Sequence, residues 1–125
     1  MSLELAAAFL AALRAGWSHV RGGTPQAACA HFERAHVLGQ WHVYAHVRAH
    51  WGMLIVGAKL RDVREVTGQL YRIVGALLLT PLGRLPVGNS GRARVSALLP
   101  MPIDPGTRAL LESDFRSRNG LRRLT

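Results

Sequence analysis

Acidic residues, lysine, cysteine and long apolar runs are all scarce in this chain of 125 residues, and each scarcity removes a class of protein. With one cysteine, Cys29, no intrachain disulfide framework can form, so a secreted, disulfide-stapled scaffold is excluded and a reducing, cytoplasmic setting is expected. The longest apolar stretches, Gly52 to Ala58 and Ile73 to Leu79, fall well short of the roughly 20 residues that span a bilayer, so no membrane partner is expected. The apolar start MSLELAAAFLAALRAGW lacks a basic n-region and continues as an amphipathic pattern, which reads as helix and not as a signal peptide. Seven Asp and Glu face sixteen Lys and Arg, a formal charge of +9, and Lys59 is the sole lysine. The arginines are scattered from Arg14 onward, with no dense run before Arg116, Arg118, Arg122 and Arg123. That distribution weighs against a nucleic-acid footprint, which is normally a clustered stripe.

What is present is alanine, leucine and helical periodicity. An apolar fraction of 49% with 6% aromatics leans towards helices, and the length suits one domain that closes its own core. The expected fold is all-α, a four-helix bundle-like core over 1–82 with a Pro/Gly-rich arm and tail over 83–125 packing on the same domain. Ser2 caps a first helix to Arg21, with Leu3, Ala6, Leu10, Leu13, Trp17 and Val20 on one face. Thr24-Pro25 opens a second helix that Gly39 ends, and a third follows from Trp41 to about Leu60, patterned by Tyr44, Val47, Trp51, Leu54 and Ile55. Asp62-x-x-Glu65 is a capping-box pattern opening a fourth helix, with Val63, Val66, Leu70, Ile73, Val74 and Leu77 as its apolar side and Pro81 and Gly83 as its stop. Prolines and glycines from Gly83 to Gly106 predict an irregular arm, then a short helix from Pro105 to about Phe115 and a frayed basic tail. Gly88-Asn89-Ser90-Gly91 lacks the GxxxxGK[ST] pattern of a phosphate loop and reads as a turn, with Gly91 or Asn89 at positive φ. Exposed apolar helix faces would allow a homodimer.

Five of the six histidines fall between His31 and His50. Glu33-x-x-His36 places two ligand types on one face of the second helix, and His42-x-x-x-His46-x-x-x-His50 stacks imidazoles at the i, i+4 spacing that chelates metal in HExxH helices. A short link folds the two helices back as a hairpin, so Glu33, His36, His42 and His46 are expected to converge on one ion. His42 and His50 lie roughly 12 Å apart along the axis, so His50, with or without Cys29, extends that site or holds a second ion. Nitrogen with one carboxylate suits Zn, Fe, Cu, Ni or Mn without choosing among them. Haem accounts for the pattern less well, since CxxCH is absent and axial ligation needs only one or two imidazoles. Gln40, Tyr44, Glu65, Gln69 and Arg72 are available to support the ligands. One ExxH motif is too few for a di-iron bundle within one chain. No nucleophile elbow is present, so no catalytic residue is assigned. The alternative is a non-catalytic module whose basic surface binds an acidic protein or nucleic acid.

The elements Glu33-Arg34-Ala35-His36-Val37-Leu38-Gly39-Gln40, His42, His46 and His50, Gly83-Arg84-Leu85-Pro86, Gly88-Asn89-Ser90-Gly91 and Pro100-Met101-Pro102 together resemble a small bacterial family of unknown function. The resemblance covers most of the chain. It implies a bacterial cytoplasmic protein and supports the importance of Glu33, His36 and the later histidines, without naming a reaction.

Overall fold

A computed structural model describes residues 1–122 of the chain as five helices joined by short turns and one long irregular arm. They are α1 (Leu3–Arg21), α2 (Pro25–Gly39), α3 (Val43–Lys59), α4 (Val63–Leu79) and α5 (Pro105–Arg122). Packing follows chain order, α1 on α2, α2 on α3 and α3 on α4, with α1 also touching α3 and α5. This is the expected all-α bundle. No helix among the described residues is long and apolar enough to cross a membrane. Arg123, part of the expected basic tail, lies outside the described residues, whereas residues 116–122 continue α5 instead of fraying.

The helix starts follow their capping chemistry. Ser2 Oγ accepts from Leu5 N at 3.3 Å, and Asp62 Oδ1 accepts from Glu65 N at 3.1 Å, each occupying one orphan donor of a first turn. The Glu65 carboxylate does not complete the capping box, because it turns inward to Gln69 and Arg92. Thr24 makes no cap bond either, since its hydroxyl donates to the His19 carbonyl.

The expected face of α1 largely packs on the core, with Leu13 buried and Leu10, Trp17 and Val20 against it, whereas α3 and α4 depart from a hydrophobic ranking. On α1 the buried residues are Leu5, Phe9, Ala12, Leu13 and Gly16, while Leu3 is exposed. On α3 they are chiefly small or imidazole-bearing, including Ala45, His46, Ala49, His50, Gly52 and Gly57, and Tyr44 and Trp51 point outward. On α4 the expected order is reversed: Glu65, Gln69 and Ala76 are buried, while Val63, Leu70, Val74 and Leu77 are each more than half exposed. The physical reason is close approach. The fully buried Phe32 sits between α1 and α3, where a β-carbon on Gly16 or on Gly52 would come within 2.7 and 2.5 Å of its ring. Small residues let the backbones close on that ring, and Trp17 meets it edge-on with centroids 5.2 Å apart. With α3 drawn in, the inward side of α4 faces the imidazoles of α3, and polar partners occupy it.

Candidate metal centre

The turn between α2 and α3 is centred on Trp41, so His36 and His46, five residues to either side, come level. His50 is one turn further along α3 on the same face, which brings all three rings together with centroid separations of 4.6 to 4.8 Å. His36 Nε2 is 2.9 Å from His46 Nε2, and His50 Nε2 is 3.1 Å from it. All three residues are buried.

The opposite ring nitrogens are each committed elsewhere. His36 Nδ1 lies 2.7 Å from the Asn89 carbonyl oxygen, which can only accept, so Nδ1 carries the proton and Nε2 presents its lone pair. His50 Nδ1 lies 2.7 Å from Gln69 Oε1. Gln69 is held in that orientation because its amide nitrogen donates to Glu65 Oε1 at 2.7 Å and to the Gly91 carbonyl at 2.8 Å. His50 Nε2 is therefore a second inward lone pair. His46 Nδ1 pairs with Thr80 Oγ1 at 2.7 Å, at the C-terminal cap of α4. A proton on His46 Nε2 could satisfy one of its two neighbours but not both, so an acceptor is left over. A cation at the point of convergence answers all three nitrogens at once.

The electrostatics keep the rings neutral. Burial pushes the His36 imidazolium well below its ordinary value, and proximity to His50 and His46 adds to this. Burial likewise pushes His46 down to about 4, and burial with the neighbouring His46 pushes His50 down to about 3. Neutral imidazole is the form that ligates metal. Each ring also has an oxygen partner at Nδ1, the arrangement that fixes tautomer and orientation in histidine metal sites.

The arm supplies half of this frame. Asn89 Nδ2 donates to the Ser96 and Leu99 carbonyls at 2.8 and 2.7 Å, and Asn89 Oδ1 accepts from Gly91 N at 2.9 Å. These bonds fold the segment so that the Asn89 carbonyl meets His36 and the Gly91 carbonyl meets Gln69. Of the two candidates for positive φ, Gly91 has it, at 80°. Arg92 follows, binding Glu33 Oε1 at 2.9 Å and Glu65 Oε1 at 3.1 Å, so a chain of polar contacts runs from α2 through Arg92, Glu65 and Gln69 to His50.

Glu33 and His42 stand outside the cluster. Glu33 accepts from Arg92 Nη1 at 2.9 Å instead of joining the imidazoles. His42 is the N-cap of α3, with extended φ of −125° and ψ of 110°, so it does not share the helical register that aligns His46 with His50. Its Nε2 lies 2.9 Å from Asp114 Oδ2 and ties α3 to α5. The expected convergence of Glu33, His36, His42 and His46 thus gives way to His36, His46 and His50, whose candidate ligand atoms lie within 4.8 Å of one another. Cys29 is half-buried and free, Tyr44 is exposed beside Arg48, and Gln69 and Glu65 take the supporting places anticipated for them. Thr80, Asn89 and Gly91 were missed as site residues. A threonine just before Pro81 and a GNSG turn carry no ligand signal by themselves, and only the wrap of the arm over α2 and α4 gives them one.

Residues 3–111 match the family model described as Protein of unknown function (DUF3703). The chain belongs to the DUF3703 family. No curated protein and no solved structure matches it. In this DUF3703 chain the matched span includes α1 to α4, the arm and the start of α5, and so contains every residue of the histidine cluster and of its Nδ1 partners.

Proposed function

We propose that this DUF3703 protein binds a transition-metal ion through Nε2 of His36, His46 and His50. The observation that carries the reading is the convergence of three buried Nε2 atoms whose Nδ1 partners already occupy the other side of every ring. An ion bonded to imidazole nitrogen at about 2.0 to 2.1 Å holds its ligands roughly 3.3 Å apart in tetrahedral geometry, so His36 and His50, at 2.9 and 3.1 Å from His46 Nε2, need to part from it by only a few tenths of an ångström. Three nitrogens and no carboxylate favour an imidazole-preferring ion of the zinc, copper, nickel and iron group over manganese. Three protein ligands leave a fourth position, and a cavity adjoins the rings there. A cytoplasmic location is part of this reading, resting on the single free Cys29.

The alternative, a basic module for acidic partners, has less behind it. Arg34, Arg92, Arg94 and Arg118 pair with Asp104, Glu33 and Glu65, Asp62, and Asp114 of the chain itself. Elemental analysis tests the metal reading on protein purified without chelator or an affinity metal column. About one equivalent of metal is expected, lost in a His46→Ala/His50→Ala variant that keeps its helical circular dichroism. Wild-type protein that neither carries a transition metal nor takes up added zinc, copper or cobalt would overturn it.

A further inference from the structure

The metal reading leaves a charge to be explained. A divalent ion on three neutral imidazoles keeps its full charge in a buried site, and Arg72 adds another beside the cavity, its Nη2 donating to the Val95 carbonyl at 2.5 Å. Among the described residues no Asp or Glu lines the cavity; the carboxylate of the surrounding network, Glu65, has Oε1 bound by Arg92 and Gln69, its buried Oε2 has no hydrogen-bond partner, and its charge also acts on Arg72. Glu33 and Glu65 offset only two of the four positive charges that Arg72, Arg92 and a divalent ion bring together, and uncompensated buried charge is unfavourable, so an anion from outside the chain is favoured here.

The cavity also describes that anion. Its volume is about 170 Å³, comparable to the cavity of roughly 150 Å³ that accommodates benzene, so it has more room than a hydroxide or chloride ion needs. Its lining combines polar groups, the three histidines, Gln40 and Arg72, with apolar ones that include Leu79, Leu85, Pro86 and Ala97. Gln40, at the end of α2 one turn beyond His36, is 1% exposed, and its amide nitrogen has no hydrogen-bond partner. A buried donor left unpaired on a residue that lines a cavity favours an acceptor beside it.

Resting on the metal reading, we propose that the cavity takes a small organic carboxylate: one oxygen occupies the fourth position on the ion, Gln40 Nε2 donates to the carboxylate, and a short alkyl body lies against Leu79, Leu85 and Pro86. The polar lining groups recognise the charge, and the apolar ones recognise the body. No covalent step is involved.

Cobalt(II) is the reporter, because its visible bands respond to a change of ligand. Uptake of one equivalent by the metal-free protein is measured first, and failure of uptake overturns the metal reading and this inference with it. The loaded protein is then titrated with isobutyrate and with acetate. Saturable band shifts are expected with both, and isobutyrate should bind about tenfold more tightly for its two extra buried methyl groups. Cobalt bands that ignore both acids overturn the carboxylate inference while leaving the metal reading intact, and equal affinities overturn the apolar half of it. A Gln40→Leu variant that loads cobalt should bind isobutyrate at least tenfold more weakly, and unchanged affinity removes Gln40 from the site. The same point is checked in zinc-loaded wild-type protein without relying on that variant's folding: the Gln40 side-chain amide resonances should shift on adding isobutyrate, and their failure to move overturns its role.

Discussion

A β-carbon on Gly91 would stand 2.8 Å from Cγ and Cδ2 of His36, so the arm and the first histidine of the cluster are fitted to each other at a position that tolerates no side chain. Gly91 also sits at φ 80°, which a non-glycine residue adopts at a cost of roughly 1 to 2 kcal/mol. Gly91→Ala therefore acts twice, by straining the turn and by pushing the His36 ring off the Asn89 carbonyl. We expect a loss of about 1 to 3 kcal/mol in urea unfolding and at least a tenfold loss of zinc affinity in a competition with a chromophoric chelator. Wild-type zinc affinity in a folded Gly91→Ala protein would show that the arm does not position His36.

Thr80 offers a second, independent lever on the cluster. Among the described residues its hydroxyl is the one partner of His46 Nδ1, and its backbone N–H donates to the Ala76 carbonyl at the C-terminal end of α4. Thr80→Val keeps the shape and removes the hydrogen bond, leaving a buried ring nitrogen unsatisfied and the ring free to choose the other tautomer. Outer partners of this kind are worth 10- to 100-fold in metal affinity, so zinc binding should weaken within that range. Thr80→Ser should restore most of it. Equal affinities in the valine and serine variants would assign Thr80 to packing alone.

How much of this was legible beforehand follows from what each signal measures. Helix boundaries were readable because caps and breakers act locally: Ser2, Asp62, Pro25 and Pro81 each constrain their own turn of chain. The site was readable in type and only partly in membership. His36, His46 and His50 stand out by spacing, but a hairpin register depends on where the turn is centred, and taking Gly39 as the hinge instead of Trp41 shifts one helix against the other by about one turn. That shift is the difference between placing Glu33 beside His46 and placing His36 there. The inward faces were the least legible. Ranking by hydrophobicity favours Leu70, Val74 and Leu77 on α4, whereas Ala, Gly, Glu65 and Gln69 fit the narrow space beside the imidazoles, and no local pattern announces that the backbones come so close.

Glu33 and His42 give a direct contrast between spacing and geometry. Both belong to the histidine-rich stretch, yet Glu33 holds Arg92 and His42 holds Asp114. Glu33→Gln and His42→Asn should each leave metal content near the wild-type equivalent, while His36→Ala, His46→Ala and His50→Ala should each cost most of it. Inductively coupled plasma mass spectrometry on matched preparations reads this out. Loss of metal in folded Glu33→Gln protein would return that carboxylate to the ligand set.

The His42 and Asp114 pair predicts a pH dependence of stability away from the cluster. Burial lowers the His42 pKa by more than its hydrogen bond to Asp114 raises it, so the folded ring stays neutral at a pH where an unfolded histidine, with a pKa of about 6.5, has gained a proton. The unfolded state then binds more protons, and stability falls as pH drops below about 6.5 towards the folded value. For Asp114, burial opposes the charge, but the Ser2 N–H and His42 together hold the carboxylate below its ordinary range. A depressed carboxylate contributes stability above the unfolded pKa of about 3.9, and that contribution is lost as pH falls through the folded value. Both effects have the same sign and occupy different windows. The buried histidines of the cluster add a slope of the same sign in metal-free protein, so the test is the difference between variant and parent. In chelator-treated samples, His42→Asn should flatten the fall in melting temperature between about pH 6.5 and 5, and Asp114→Asn should flatten the fall below about pH 4. Curves for both variants that run parallel to the parent across both windows would mean that this contact between α3 and α5 carries no proton-linked stability.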